Sequence, residues 1–354
     1  MPIPVNELRQ TWPLPRSPRP IVIIGAGGIV TDAHLPAYGL AGFPVAGIFD
    51  INADRAAKVA EGAGTRAFRT LDEAIATPNA IYDLALPPGA HLDVLPTLPD
   101  GAPVLLQKPM GNDLGEATAI LALCRRKRLQ AAVNFQLRFS PMFLATADAM
   151  ARGWLGDIVE LEVHLNLVTP WSLFPFLKGM QRVEIAVHSI HYLDTIRALL
   201  GNPRGIHART MGHPATELAQ TRTSALIDYG PTQRVILSIN HNHDFGRKFQ
   251  DASFRVEGAR GAAMVKLGLL LDYPRGEPDE LWIATTGTEW TPVPLAGKWF
   301  PHAFIGTMSN LQRVASGEDQ RLVTDVEDAW HTMALAEAAF ESASLPSTPV
   351  RRAP

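Results

Sequence analysis

Between positions 20 and 140 the chain alternates short apolar runs with helical segments. The runs are Pro20–Ile24, Val45–Phe49, Ala80–Leu86, Pro103–Leu106 and Gln130–Phe135. Short, mostly apolar runs read as strands buried on both faces, and strands separated by helices build a doubly wound parallel sheet. The pattern changes near Asp157. From there Ile158–Val168, Ser224–Tyr229, Arg234–Asn240, Ser253–Val256, Ala262–Leu267 and Leu281–Thr285 read as strands, several of them alternating. Gly258, Gly261 and Pro274-Arg275-Gly276 supply turn signals, one long helix runs from roughly 183 to 200, and a last helix spans about 324 to 344. The expected fold class is α/β: a parallel-sheet N-terminal domain, then an α+β domain on a large, mainly antiparallel sheet. The pattern divides the chain into an extended proline-rich arm over 1–19, a first domain over 20–140, a second over 141–345 and a tail over 346–354.

In a doubly wound sheet ligands lie beyond the carboxyl ends of the strands. Asp50, Pro87, His91, Gln107, Lys108, Asn134 and Gln136 all fall at or just past those ends. The first strand meets Gly25-Ala26-Gly27-Gly28-Ile29-Val30, a glycine turn that opens a helix. That order presents the amides at the helix start, Gly28 and Ile29 among them, to a pyrophosphate. Gly25 allows the tight turn and Gly27 lets the phosphates approach, while Val30 stands where the fingerprint has its third glycine. Asp50 ends the second strand, where a carboxylate accepts both ribose hydroxyls of NAD and repels a 2′-phosphate. NAD is therefore favoured over NADP, with Asn52 and Arg55 as the nearby groups that would meet a phosphate instead.

At 354 residues the chain holds enough material for two domains with their own cores. A net charge of -3 gives no basic footprint for nucleic acid or a membrane surface. The cluster Arg125-Arg126-Lys127-Arg128 follows an apolar helical stretch and suits the negative end of that helix dipole. Cys124 is the one cysteine, so no intrachain disulfide forms, and its apolar neighbours mark it as a small buried residue. No apolar run has spanning length and the first twenty residues lack a secretory apolar core, so a cytoplasmic location is expected.

Two places carry candidate chemistry. Gln107-Lys108-Pro109 puts a lysine at a strand end, where its ammonium would point into the cleft as a hydrogen-bond donor or proton relay. In Glu184-Ile185-Ala186-Val187-His188-Ser189-Ile190-His191-Tyr192-Leu193-Asp194, positions 184, 188 and 191 share one face of an α-helix, and Asp194 continues it. An imidazole is a natural base for an alcohol proton, and a carboxylate one turn away can orient it. The same spacing also suits a surface Glu–His pair, a satisfied core histidine, or a metal site, but a lone helix offers no further clear ligand and no metal is expected.

The glycine turn, the strand-end Lys108-Pro109, Arg138-Phe139-Ser140-Pro141 and the His191-x-x-Asp194 helix together resemble the Gfo/Idh/MocA oxidoreductases, the family of glucose–fructose oxidoreductase, myo-inositol dehydrogenase and several aldose dehydrogenases. The resemblance runs from about Ile21 to Ala343 and includes Leu86–His91, like the family's nicotinamide-side loop, and Trp299–Phe304, like its late substrate-side loop. It implies an N-terminal Rossmann domain and a C-terminal α/β domain whose open sheet often forms a dimer interface. It also implies that Lys108 and His191 work together. Gln107 stands where the family has glutamate, Val187 where it has aspartate and Ser189 where it has glycine. His191 thus lacks the expected carboxylate, and His188 or Glu184 is left to take that role.

Trp171, Phe174 and Phe176 precede the histidine helix and could stack on a sugar ring. His164, Asn166, His241, His243 and His302 add polar groups, and Arg138 and Arg182 are the candidate clamps for an acid. The substrate-binding set expected is Lys108, Arg138, Trp171, Glu184, His188 and His302. The function expected is an NAD(P)-dependent dehydrogenase acting on an aldose at C1 or on a polyol, with Lys108 on the reacting oxygen and His191, helped or replaced by His188, taking the proton. The alternatives are a glycosidase that uses NAD transiently and a dinucleotide-binding regulator without turnover, as in a yeast galactose regulator of similar fold. The expected assembly is a homodimer or homotetramer through the C-terminal sheet.

Overall fold

The computed structural model describes residues 3–173 and 177–351. Five parallel strands form the first sheet: β1 (Ile21–Ile24), β2 (Val45–Phe49), β3 (Ile81–Leu84), β4 (Pro103–Leu106) and β5 (Gln130–Val133), in the order β2-β1-β3-β4-β5. The chain leaves β1 toward β2 on one side and reaches β3 on the other. This reversal opens a crevice at the carboxyl ends of β1 and β3, the place where such sheets bind ligands. Helices α1 (Leu35–Ala41), α2 (Ala53–Gly62), α3 (Leu71–Ile75), α4 (His91–Val94) and α5 (Leu114–Lys127) link the strands. Side-chain caps start α2 and α5: Asn52 accepts from Arg55 N at 3.0 Å and Asp113 from Glu116 N at 2.9 Å, each cap contributing about 1 kcal/mol. The basic run at 125–127 fills the last turn of α5, and Arg128 closes it in the left-handed region with φ 54°. Cys124 is buried there, its thiol pKa pushed up to about 12 by burial.

Helix α6 (Pro141–Ala151) leads to the second sheet. Its strands are β6 (Ile158–Asn166), β7 (Gly205–Met211), β8 (Arg222–Asp228), β9 (Arg234–Asn240), β10 (Asp251–Gly258), β11 (Gly261–Lys266), β12 (Glu280–Thr285) and β13 (Thr291–Pro292), in the order β13-β12-β11-β10-β6-β9-β8-β7. Only β6 and β9 pair in parallel; the other neighbours are antiparallel. Alternate residues of β6, Leu161, Val163 and Leu165, are buried against Phe143 of α6, Leu193 and Ile196 of α7 (Ile190–Leu200) and Ala336 of the last helix. The intervening Glu160 and Glu162 lie on the other face, where they pair with Arg234 and Arg255.

The sheet changes between β5 and β6, but the chain does not stay with the second sheet afterwards. Helix α8 (His302–Ala315) returns to the first, placing Phe304, Met308 and Leu311 in one core with Ile21, Ile23 and Ile48. Helix α9 (Val326–Ser344) serves both: Ala329 and Met333 pack on the first domain, Leu335 and Ala339 on the second. The arm packs on the second domain and on the segment after α8. Val5 and Leu8 are buried in the second-domain core, Gln10 bonds Pro294 O and Ala296 N at 2.9 and 2.7 Å, and Trp12 reaches Asp319 at 2.9 Å.

Candidate active site

Gly25 has φ +105°, and a Cβ there would sit 2.3 Å from the carbonyl oxygen of Ala85. Only glycine can lay the turn against the end of β3 in this way. A Cβ on Gly27 would meet nothing within 4 Å, so that glycine keeps space open rather than relieving a contact. Helical backbone runs from Gly28 and Ile29 onward, and its turn Val30–His34 is π-wound. Val30 is fully buried there, packed with Ile21 and Ala33, which is how a large side chain is held at the third-glycine position. Asp50 Oδ2 accepts from Ala26 N and Oδ1 from Asn52 N, both at 2.8 Å, tying the tip of β2 to the glycine turn. The Arg55 guanidinium lies 3.9 Å from Asp50.

At the other strand ends Pro87 is exposed, Asn134 and Gln136 are buried, and Asn134 Nδ2 donates to Gln107 Oε1 at 3.1 Å. Gln107 Oε1 also accepts from Lys108 N at 3.3 Å, so its amide is turned to the strand rather than to the lysine head. Asn134 Oδ1 and Gln136 Oε1 are buried without a protein partner. His91 is buried as they are. The 3₁₀ turn Pro88–Ala90 swings it inward, it has no exposed surface, and burial brings its pKa down to about 4. Both of its ring nitrogens are buried without a hydrogen-bond partner.

The structure also holds a buried network that the sequence reading missed. His34 Nδ1 lies 2.6 Å from Asp83 Oδ2, Tyr38 Oη donates to the same oxygen at 2.7 Å, and Asn134 Nδ2 lies 3.4 Å from His34 Nε2. An aspartate in the middle of the apolar run Ile81–Leu84 was the available signal, because a buried carboxylate demands partners.

Lys108, after a cis peptide bond to Pro109 on its far side, reaches the second domain: its Nζ donates to Val187 O at 2.9 Å. Burial lowers its pKa to about 8. The acceptor belongs to a π-wound turn, Ile185–Ser189, not to the α-helix the spacing predicts. The wider turn sets 189 rather than 188 over 184. Glu184 Oε1 therefore accepts from Ser189 Oγ at 2.7 Å, and its nearest imidazole is His241, with Nε2 at 3.5 Å. Glu184 is fully buried behind the histidines and is not placed to touch a substrate directly.

His188 packs on His241, with ring centroids 4.6 Å apart, and on Trp171 at 5.4 Å. His191 packs edge-on against Trp299 at 5.7 Å. Burial, then the positive potential of His241 and Lys108, holds His188 well below the usual imidazole range. His191 is lowered likewise by burial, then by Lys108 and His188. His188 Nε2, His191 Nδ1, Trp171 Nε1 and Trp299 Nε1 are all buried without a protein partner. Neutral imidazoles, a lysine with a lowered pKa and several unspent polar atoms thus meet at the end of the parallel sheet. Such a set can donate to one oxygen and accept a proton from another group.

Two expected contributors are elsewhere. Arg138 Nε and Nη2 grip Asp194 at 2.6 and 2.5 Å, Nη2 also reaches Asp328 at 2.6 Å, and the Asp194 carboxylate further accepts from Thr332 at 2.9 Å. Arg138 is a joint between the domains, not a substrate clamp, and Asp194 faces it instead of His191. His302 turns onto its own loop, where a Cβ on Gly297 would be 2.5 Å from its ring, and Nδ1 accepts from Lys298 N at 3.4 Å. Trp299 takes the place beside His191. Arg182 is bidentate to Glu337 at 2.7 and 2.8 Å. His164 and Asn166 lie with Asp251 and Asn240 on the outer side of β6. Phe174 and Phe176 lie outside the described residues. Among the described residues no three His, Cys, Asp or Glu side chains form a metal-holding group.

Residues 19–135 match the oxidoreductase family with the NAD-binding Rossmann fold, Gfo/Idh/MocA, and this domain belongs to it. The chain is 31% identical over 196 residues to inositol 2-dehydrogenase of Leifsonia xyli subsp. xyli, a stretch covering 51% of this chain and 53% of that protein. It spans about half the length, or less, of the first curated relatives it matches. An oxidoreductase from Agrobacterium radiobacter, solved with NAD+, L-tartaric acid and magnesium, superposes with a TM-score of 0.77 at 20% identity, covering 93% of this chain and 97% of that one. UDP-N-acetylglucosamine 3-dehydrogenase from Acidithiobacillus ferrooxidans superposes with a TM-score of 0.72 at 21% identity, covering 92% and 98%. These two likenesses extend the shared fold over both domains. No helix among the described residues is long and apolar enough to cross a membrane.

Proposed function

We propose that the protein is an NAD-dependent oxidoreductase that moves hydride between the nicotinamide and a hydroxyl-bearing carbon of a sugar, an aldose at C1 or a related polyol. One observation carries the reading: the Lys108 Nζ contact to Val187 O brings the strand-end lysine of the Rossmann domain against the turn that bears His188, with His191 just beyond it. The glycine turn fits a dinucleotide, since the space a Gly27 side chain would fill is open and Gly28 and Ile29 start the helix behind it. Asp50 would meet the ribose. Arg55 lies 3.9 Å from Asp50 and is half-exposed, and the Asp50 carboxylate at the strand tip would repel a 2′-phosphate, which favours NAD over NADP. When bound, the nicotinamide supplies the hydride acceptor. Lys108 donates to the reacting oxygen, and the neutral imidazoles of His188 and His191 are the groups that accept the hydroxyl proton.

The unpartnered imidazole and indole nitrogens suit a neutral ligand rich in hydroxyls. An acid is disfavoured because Arg138 and Arg182 are both held by carboxylates of the protein. The inositol dehydrogenase relative acts, by name, on such a polyol, and the UDP-sugar dehydrogenase neighbour on a sugar that carries a charged diphosphate. The second sheet, with Glu160, Arg234 and Trp282 on its outer face, is the surface through which a homodimer or homotetramer would form. Absorbance of NADH, followed with NAD and a panel of aldoses and polyols, tests the reading. Turnover with one sugar class is expected, and Lys108→Ala should cut kcat by about 10²- to 10⁴-fold with NAD affinity little changed. Near-normal turnover in that variant removes the assignment. Silence of the parent across the panel with NAD bound would favour a regulator or a redox-cycling glycosidase.

A further inference from the structure

Behind His188 lies a carboxylate with little to hold it. Glu184 has no exposed surface, one hydrogen bond from the Ser189 hydroxyl, and a second oxygen, Oε2, with no partner. A buried carboxylate without a cation is costly, so the group 3.5 Å away, His241 Nε2, decides what it does. His241 is itself 1% exposed. Its other nitrogen, Nδ1, lies 2.7 Å from the Thr169 hydroxyl. A hydroxyl donating there leaves the ring proton on Nε2, which has no hydrogen-bond partner and lies 3.5 Å from Glu184 Oε1 as its nearest carboxylate oxygen. The same ring packs on His188 at 4.6 Å and 44°, and Trp171 closes the cluster by contacting both imidazoles. Glu184, His241 and His188 therefore come from the residue before the π turn, the residue after β9 and the π turn itself, with the first two fully buried behind a partly exposed His188.

We infer that Glu184 and His241 are positioning residues for His188, the carboxylate fixing the ring of His241 and, through it, the plane and charge balance of the imidazole that takes the substrate's hydroxyl proton. In that step the substrate O–H bond breaks and an N–H bond forms on His188. The positive charge so created lies one ring away from a buried negative charge, and the pair supports it. The titratable groups facing the cluster are Lys108 and His191 on the cleft side and Tyr192 beside Glu184. The inference rests on the dehydrogenase reading for its kinetic arm only.

The experiment compares the full chain with Glu184→Gln, Glu184→Asp and Thr169→Val. Ring ¹⁵N NMR of the histidines in nucleotide-free protein reports the tautomer of His241. It is expected to show the proton on Nε2 in the parent and to lose that preference in Glu184→Gln. With NAD and the best sugar of the panel, Glu184→Gln should lower kcat by about 10- to 100-fold with KM within about threefold. Loss of the negative charge should also move the acidic limb of the kcat profile to lower pH, and Glu184→Asp should restore part of both. If Glu184→Gln loses thermal stability but keeps kcat and the acidic limb, or if the His241 tautomer ignores it, the inference falls. Should Glu184→Gln not fold, Thr169→Val reaches the same ring from the partly exposed side and must still lower kcat by about tenfold. A parent that binds NAD and turns over nothing overturns the dehydrogenase reading instead, and the NMR arm then decides the Glu184–His241 pairing by itself.

Discussion

The two sides of the crevice are held by different means. On the Rossmann side the parts that would meet a dinucleotide are backbone: the glycine turn, the first amides of the helix and strand ends locked by parallel pairing. On the other side the chemistry sits on side chains, carried by a π turn and braced by buried ions and rings. Backbone geometry restricts which residue type can stand at a position but asks for few partners. A side-chain site tolerates many residue types locally and depends on contacts far away in sequence. The difference predicts where each side breaks.

The largest effect should come from the brace. Arg138 ties Asp194 of α7 and Asp328 of α9 to the end of the first domain, and Arg197 joins the same group through Thr332 and Asp328. Arg138→Leu leaves the buried Asp194 without its cation, Asp328 keeping Arg197, and should cost about 3–5 kcal/mol in chemical denaturation. A substrate clamp would show the opposite profile, a large rise in KM with stability unchanged. A loss below about 1 kcal/mol would mean that the second side of the crevice does not depend on this joint.

The glycines sharpen the comparison. Gly25→Ala forces a Cβ to within 2.3 Å of Ala85 O at a φ of +105°, so at least about 2 kcal/mol of stability should go, and nucleotide binding with it. Gly27→Ala should leave stability within about 0.5 kcal/mol, because its Cβ meets nothing. Its effect should fall on the ligand alone, with NAD affinity down by about tenfold or more, equivalent to ~1.4 kcal/mol. Calorimetric titration and thermal melts on both variants separate the two roles. Equal losses of stability would show that the space beside Gly27 is not kept for a ligand.

The same contrast explains what the sequence disclosed. The parallel strands and the glycine turn were legible because double-sided burial and a positive φ each dictate residue type over a few consecutive positions. Lys108 was legible because a strand end fixes its direction. The Glu184-x3-His188 pairing failed, since an α-helical period was applied to a stretch wound as a π turn, and nothing local in Ile185–Ser189 announces the extra residue. Arg138 was misread because its partners stand 56 and 190 positions away. The edge strand β7 escaped notice because His207 and Arg209 face solvent and leave too little apolar alternation. His34–Asp83 could have been found, by asking what a carboxylate does inside an apolar strand.

The smallest expected effect is on acid stability, and it probes both sides at once. His188 and His191 on one side and His91 on the other all have pKa values lowered from 6.5 by burial. Their folded forms stay neutral where the unfolded chain takes up protons. The unfolded state therefore binds more protons below about pH 6.5, and stability must fall as pH falls through that value. Each histidine can contribute at most about 1.4 kcal/mol of loss between pH 7.5 and 5.5, with no loss expected from these groups above pH 7.5. His188→Gln should remove about one third of that three-histidine slope in denaturant titrations at the two pH values, whatever it does to the absolute stability. An unchanged slope would mean that the His188 ring takes a proton in the folded state as readily as in the unfolded chain. A neutral imidazole waiting beside Lys108 would then not be the resting state of the site.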